Sequence, residues 1–218
     1  MGVEYLTPAI IIEKRIIEAL RTKIAKEGYP KKIDKVAGDI HTKISDLIKG
    51  AILASNELNS LINGKLRADF GLDDEIVAKL PSILIDLFEV YYQDNETTDQ
   101  KDIFGIKFIV RARDEDDPYV QSAFARAHYT SERSKEVIQW LRWLMFFGGE
   151  IINETYKVKL VDGLGRSGMA IMIKGSNFAF KVDGEFSGTE TSNFVTRAID
   201  TVKDEIISIL RNATNVSK

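Results

Sequence analysis

The hydrophobic period of this chain changes near residue 93, and only a mixed architecture accommodates both halves. Before that point apolar residues recur at steps of three and four. Ile33, Val36, Ala37, Ile40, Ile44, Leu47, Ile48 and Ala51 form one such stripe, and Ile12, Ile16, Leu20 and Ile24 form another. After it, Phe104, Ile106, Phe108, Val110 and Ala112 alternate with Gly105, Lys107, Ile109, Arg111 and Arg113, the pattern of a strand with one buried face.

Boundary signals divide the first part into four helical pieces. Thr7-Pro8 reads as a cap with proline at the first helical position, and Gly28 ends that helix. A second helix follows Pro30, and Ser55-Asn56 breaks it and caps a short third piece. Asn63-Gly64 is a turn, Lys65 to Leu72 a compact connector, and Asp73-Asp74 caps the fourth helix. Ile76, Val77, Leu80, Ile83, Leu84, Leu87 and Phe88 are its buried residues, and Pro81 should kink or restart it.

The second part mixes strands and helices. Asp114 to Asp117 is a charged turn, and Tyr119 to His128 reads as either strand or short helix. Ser131 caps a helix carrying Val137, Ile138, Trp140, Leu141, Trp143, Leu144, Met145 and Phe147, stopped by Gly148-Gly149. A helix apolar nearly all round is either the central helix of its domain or partly covered by another subunit. Three short strands follow, centred on Tyr156 to Leu160, Met169 to Ile173 and Phe178 to Val182, joined as a meander by glycine-containing turns. Ser192 caps a final helix with the stripe Val195, Ala198, Ile199, Val202, Ile206, Ile209 and Leu210, and the tail after Asn212 should fray.

The expected fold is therefore α+β: a helical N-terminal part, then an antiparallel β-meander packed on one central and one C-terminal helix. Residues 1–92 form the helical region, 93–102 a linker and 103–218 the α+β domain.

Gly163-Leu164-Gly165-Arg166-Ser167-Gly168 spells G-x-G-x-x-G. A dinucleotide fingerprint needs strand, tight turn and then helix, so that the helix N-terminus meets the pyrophosphate. Here a second strand follows Gly168. Met169-Ala170 also stand where a Walker-type loop needs lysine and then serine or threonine. The string reads as a hairpin loop with an arginine near its tip, and Arg166 and Ser167 are placed to touch a neighbouring subunit.

Other chemistry is sparse. The 218 residues contain no cysteine and two histidines, so there is no thiolate nucleophile, disulfide or cysteine-ligated metal. His41 and His128 share no motif and have no ligand companion at helical spacing. Asp114-Glu115-Asp116-Asp117 lacks the alternating ligands and central glycine of an EF-hand. Asp183, Glu185 and Glu190 flank Phe186, but nothing sets them across a cleft. Catalytic, cofactor and metal residues are expected to be absent.

A net charge of −3 exerts no global pull on nucleic acid. Lys23, Lys26, Lys31, Lys32 and Lys35 cluster but are interrupted by Glu27 and Asp34. Local contact with DNA passing through an assembly stays open. The longest apolar runs are too short for a bilayer, and Glu4 and Glu13 interrupt what would be a signal peptide.

Four segments carry a resemblance. They are Leu61-Ile62-Asn63-Gly64-Lys65-Leu66-Arg67-Ala68-Asp69-Phe70-Gly71-Leu72, Trp140-Leu141-Arg142-Trp143-Leu144, Gly165 to Met172, and Glu185-Phe186-Ser187-Gly188-Thr189 followed by Asn193 to Ile199. The chain resembles the neck and tail-completion (head–tail connector) family of tailed-bacteriophage virion proteins, which often has a glycine–threonine pair before its last helix, as in Gly188-Thr189. The helical N-terminal part is longer here than in that family's smallest members.

The resemblance implies a non-enzymatic virion protein, made in the host cytoplasm. It would form an oligomeric ring at the head–tail junction and contact connector, tail-tube or sheath proteins, with no cofactor and no membrane. It implies subunit contacts through Arg166, Ser167, Phe186, Thr189 and Asn193. The competing expectation is a soluble enzyme or adaptor whose Gly163–Gly168 loop binds phosphate or a nucleotide.

Overall fold

The computed structural model describes residues 30–94, 106–130, 137–147, 151–153, 156–175 and 180–215. The expected helix from Thr7 to Gly28, the Ser131 cap and the Gly148-Gly149 stop lie outside them, as do Lys23 and Lys26 and the side chains of Lys31, Lys32 and Lys35.

The described elements alternate helices with short antiparallel pairs, an α+β fold. Helices α1 (Pro30–Leu53), α2 (Asn56–Asn63), α3 (Lys65–Phe70) and α4 (Asp74–Ile85) precede strands β1 (Phe88–Asp94) and β2 (Ile106–Ala112). Then come α5 (Pro118–Ala127), β3 (Tyr129–Thr130), β4 (Val137–Ile138), α6 (Trp140–Phe146), β5 (Ile151–Asn153), β6 (Tyr156–Leu160), β7 (Ala170–Lys174) and β8 (Phe180–Lys181). Helices α7 (Phe194–Thr201) and α8 (Lys203–Asn215) end the chain's described part.

Two compact units are interleaved in sequence. Described residues 30–51, 88–94, 106–112 and 198–215 belong to the first, and 52–87 and 113–197, where described, to the second. The chain passes between them within α1 and again within α7.

In the first unit, Ala37, Ile40, Ile44 and Ile48 are the buried stripe of α1. Hairpin β1–β2 pairs Phe88 with Ala112, Val90 with Val110 and Tyr92 with Phe108, so these six side chains share one face. Arg111 and Glu89 form a cross-strand ion pair at 2.5 Å. Nε2 of His41 lies 2.8 Å from the Val90 carbonyl oxygen, tying α1 to β1. β1 corrects the expectation of helix through residue 92: Leu87 and Phe88 are buried, but Phe88 is in a strand.

The second unit is built around a short connector. Ser55 caps α2 by accepting from Leu58 N–H, and Asp73 caps α4 by accepting from Ile76 N–H. Between them Gly71 takes the left-handed conformation, φ +63°, that ends α3. Arg67 donates to the carbonyls of Ile62 (2.9 Å) and Leu72 (3.2 Å) and to the Asp74 carboxylate (2.6 Å), joining α2, α3 and α4 with one guanidinium. Leu61, Leu66, Phe70 and Leu72 are buried. Of the kink or restart expected at Pro81, the restart does not occur: helix α4 runs through it undivided.

The ambiguous stretch at 119–128 is helix α5, with Asp117 as its cap and Pro118 in its first turn. The following helix is shorter than expected, because Val137 and Ile138 pair with Thr130 and Tyr129 as a strand. Trp140, Leu141, Leu144 and Met145 of α6 are fully buried, so the helix is central to its unit. β8 does not extend the β6–β7 hairpin as a third meander strand. It pairs with β5, and Phe180 is buried edge-on against Phe70 of α3. The final helix is two pieces: Val202 N–H reaches the Ile199 carbonyl in a tighter turn before α8 restarts. α8 then runs to Asn215, past the expected fraying point at Asn212.

Candidate functional site

The glycine string joins β6 directly to β7. Strand pairing, from Tyr156 with Lys174 to Leu160 with Ala170, continues past the strand ends: Val161 N–H donates to Met169 O at 2.9 Å and Gly163 N–H to Gly168 O at 2.8 Å. Gly163, Gly165 and Gly168 have φ of +74°, +75° and +69°. A Cβ on Gly165 would lie 1.8 Å from the Ala170 carbonyl oxygen. The glycines are thus required by the turn. No helix N-terminus follows the loop, so the cradle of a dinucleotide fingerprint is not formed there. Leu164 and Arg166 are exposed. Ser167 is buried and its Oγ accepts from Met169 N–H.

The second candidate segment packs inward. Phe186 is buried, and its N–H and that of Ser187 both donate to the Asp183 carbonyl at 2.9 Å. Thr189 and Ser192 close a tight turn, and Thr189 bridges to Phe147. Asn193, not Ser192, caps α7. Its Oδ1 accepts from Val195 N–H (3.0 Å) and Thr196 N–H (3.2 Å), and its Nδ2 donates to Thr189 O (3.1 Å). It is fully buried. A Cβ on Gly188 would stand 2.7 Å from the Leu144 carbonyl oxygen and from Asn193 Cβ. Gly188 is therefore dictated by close packing on α6.

Of the five candidate contact residues, Arg166 and Thr189 are exposed, while Ser167, Phe186 and Asn193 spend their side chains inside the unit. Phe186, Thr189 and Asn193 share one loop, and Arg166 and Ser167 share the hairpin.

An ionic cluster was not legible in the sequence. Lys65 Nζ lies 2.6 Å from Asp183 Oδ2 and 3.8 Å from Asp69 Oδ2, joining α3 to the turn before Phe186. The Asp183 hydrogen bond holds the Lys65 ammonium above its ordinary pKa, and the Lys65 hydrogen bond holds Asp183 below its own. Burial pushes Asp69 up, only partly offset by Lys65. The Lys65–Asp69 spacing of four on a helix was the available signal.

A carboxyl with a raised pKa binds more protons folded than unfolded, so its contribution to stability falls as pH rises from 3.8 through the folded value. Asp69→Asn is expected to raise the melting temperature at neutral pH, with the gain closing as pH falls toward 3.8. Thermal unfolding across that range checks this; a loss of stability at neutral pH would mean that the Lys65 attraction outweighs burial.

The remaining polar features are engaged structurally. Asp117 caps α5 and pairs with Arg113 at 3.1 Å, and Glu115 pairs with Arg142. His128 is exposed at the end of α5. No group of three or more histidine or acidic residues among the described residues could hold a metal ion. No helix among them is long and apolar enough to cross a membrane. Comparison with known protein families, with curated proteins and with solved structures gives no match.

Proposed function

We propose that this chain is a structural virion protein of a tailed bacteriophage, assembling as a ring at the head–tail junction and carrying out no chemistry. One observation supports the reading. The segments that carry the resemblance, separated by up to a hundred or so residues in sequence, pack together in the second unit through Arg197. Phe70 of the first segment packs, its ring tilted at 39°, at 5.6 Å from Trp140 of the second. Lys65 bonds Asp183, next to the last segment, and Gly188 packs on Leu144. Arg197 pairs with Glu57 at 2.6 Å. The third segment forms the hairpin on which α3 packs. A pattern that selects one contiguous packed body is what a shared fold would leave in a sequence.

In this role the hairpin is a contact element, and Arg166 offers planar hydrogen bonding to a neighbour's carboxylate. Arg166→Ala is expected to leave the isolated chain folded while particle assembly fails. Thermal unfolding and electron microscopy of assembled particles check the two halves; normal particles would remove Arg166 from the interface. The reading as a whole is tested by locating the labelled chain on virions, where a position away from the neck would overturn it.

A further inference from the structure

Lys65 is one ammonium between two carboxylates on different elements. Asp183 Oδ2, in the turn after β8, stands at 2.6 Å, and Asp69 Oδ2, one turn along α3, at 3.8 Å. The two acids are otherwise unlike. Asp183 is half-exposed and organises its turn: its Oδ1 accepts from Glu185 N–H, and its carbonyl accepts from Phe186 and Ser187 N–H. Asp69 is buried, and its carboxylate accepts no hydrogen bond among the described residues. A buried carboxylate without a donor is costly to keep charged.

We infer that Asp69 controls an acid-tightened clasp, in which Lys65 holds the turn at residues 183–187 on α3. Charge gives the direction. With both acids ionised, α3 presents to Asp183 an ammonium and a carboxylate that oppose one another. When Asp69 takes a proton the ammonium is left alone, and the repulsion between the two acids is gone. Arg67, the other cation of α3, is engaged by Asp74 and by the carbonyls of Ile62 and Leu72. The clasp is a property of the folded chain and is independent of the ring reading.

The order of titration lets the clasp work in one direction and then the other. Burial sets Asp69 above 3.8, and Lys65 holds Asp183 below it, so Asp69 becomes neutral while Asp183 is still ionised. As pH falls the clasp first tightens, then lets go once Asp183 is protonated. The other charges around it are Glu185, acting on Lys65, and Lys181 of β8, acting on Asp183. Lys157, Lys159 and Lys174 of the hairpin that packs on α3, and Glu57 of α2, do not act on Asp69.

The test is amide hydrogen exchange of the full chain, read as protection factors from about pH 7 to about pH 4. Protection at Phe186 and Ser187 is expected to rise about two- to fivefold as pH falls, the scale of a half-exposed ion pair. No equal rise is expected at Val161 and Gly163 of the hairpin. Asp69→Asn should show the higher protection already at neutral pH and no rise on acidification, while Glu185→Gln should keep the wild-type rise. Lys65→Met should lower protection at every pH. The coupling is reciprocal, so the Asp69 carboxyl, followed by NMR, should titrate lower in Asp183→Asn than in the wild type.

Any of four results would overturn the inference. They are wild-type protection at Phe186 and Ser187 that stays flat, a rise matched at Val161 and Gly163, a rise that survives Asp69→Asn, and protection untouched by Lys65→Met. If Asp69→Asn does not fold, the titration of Asp69 in Asp183→Asn decides alone: an unchanged or higher value would mean that the two acids are not coupled through Lys65.

Discussion

Trp140→Ala is expected to cost about 3–5 kcal/mol of stability. The residue is fully buried, its ring packs at a tilt against Phe70, and its Nε1–H donates to the Ala127 carbonyl. It thereby joins α3, the end of α5 and α6 at one point of the second unit. A single-domain stability of about 5–15 kcal/mol leaves little after such a loss. Trp143→Ala is the control. That ring is half-buried and packs at 4.9 Å on Phe147, so its removal should cost far less. Urea denaturation followed by circular dichroism separates them without relying on the fluorescence of the two tryptophans being altered. Equal losses from both variants would mean that α6 is not ordered around Trp140.

That central position also bears on what the sequence could reveal. The apolar wrap of α6 pointed to burial on several sides, and the caps at Ser55 and Asp73 were legible because an oxygen side chain before an apolar run has one main use. β1 was hidden for a local reason. Leu84, Leu87 and Phe88 continue the three-and-four spacing of α4, so Phe88-Val90-Tyr92 reads as helix until its partner β2 is known. Val137 and Ile138 were absorbed into the period of α6 in the same way.

The pairing of β8 with β5, and the interleaving of the two units, depend on contacts between residues far apart in sequence, which periodicity does not encode. The same limit applied to the candidate site. Alternation on both sides of the glycines was enough to place a hairpin. Ser167 and Asn193, expected as subunit contacts, are both buried as hydrogen-bonding parts of turns and caps.

Gly165→Ala and Gly163→Ala should separate sharply although both glycines have nearly the same φ. Each substitution pays for a left-handed alanine, about 1–2 kcal/mol. At Gly163 nothing lies within 4 Å of the added Cβ, so that is the whole cost. At Gly165 the Cβ would meet the Ala170 carbonyl oxygen at 1.8 Å, a backbone atom in the first residue of β7 that cannot move without disturbing the Leu160–Ala170 pair. Gly165→Ala must therefore reshape the tip, and with it the presentation of Leu164 and Arg166.

The expected result is a modest loss of melting temperature for Gly163→Ala with particle assembly retained, and a larger loss for Gly165→Ala with particle assembly reduced. Amide hydrogen exchange at Val161 and Gly163, whose N–H groups close the hairpin, reads the damage directly. A phosphate-binding loop predicts another outcome: both variants would weaken nucleotide binding, because both alter backbone that would surround the phosphates. Calorimetry with ATP on the wild type decides between them, since a loop that serves only as a contact element gives no heat of binding to lose.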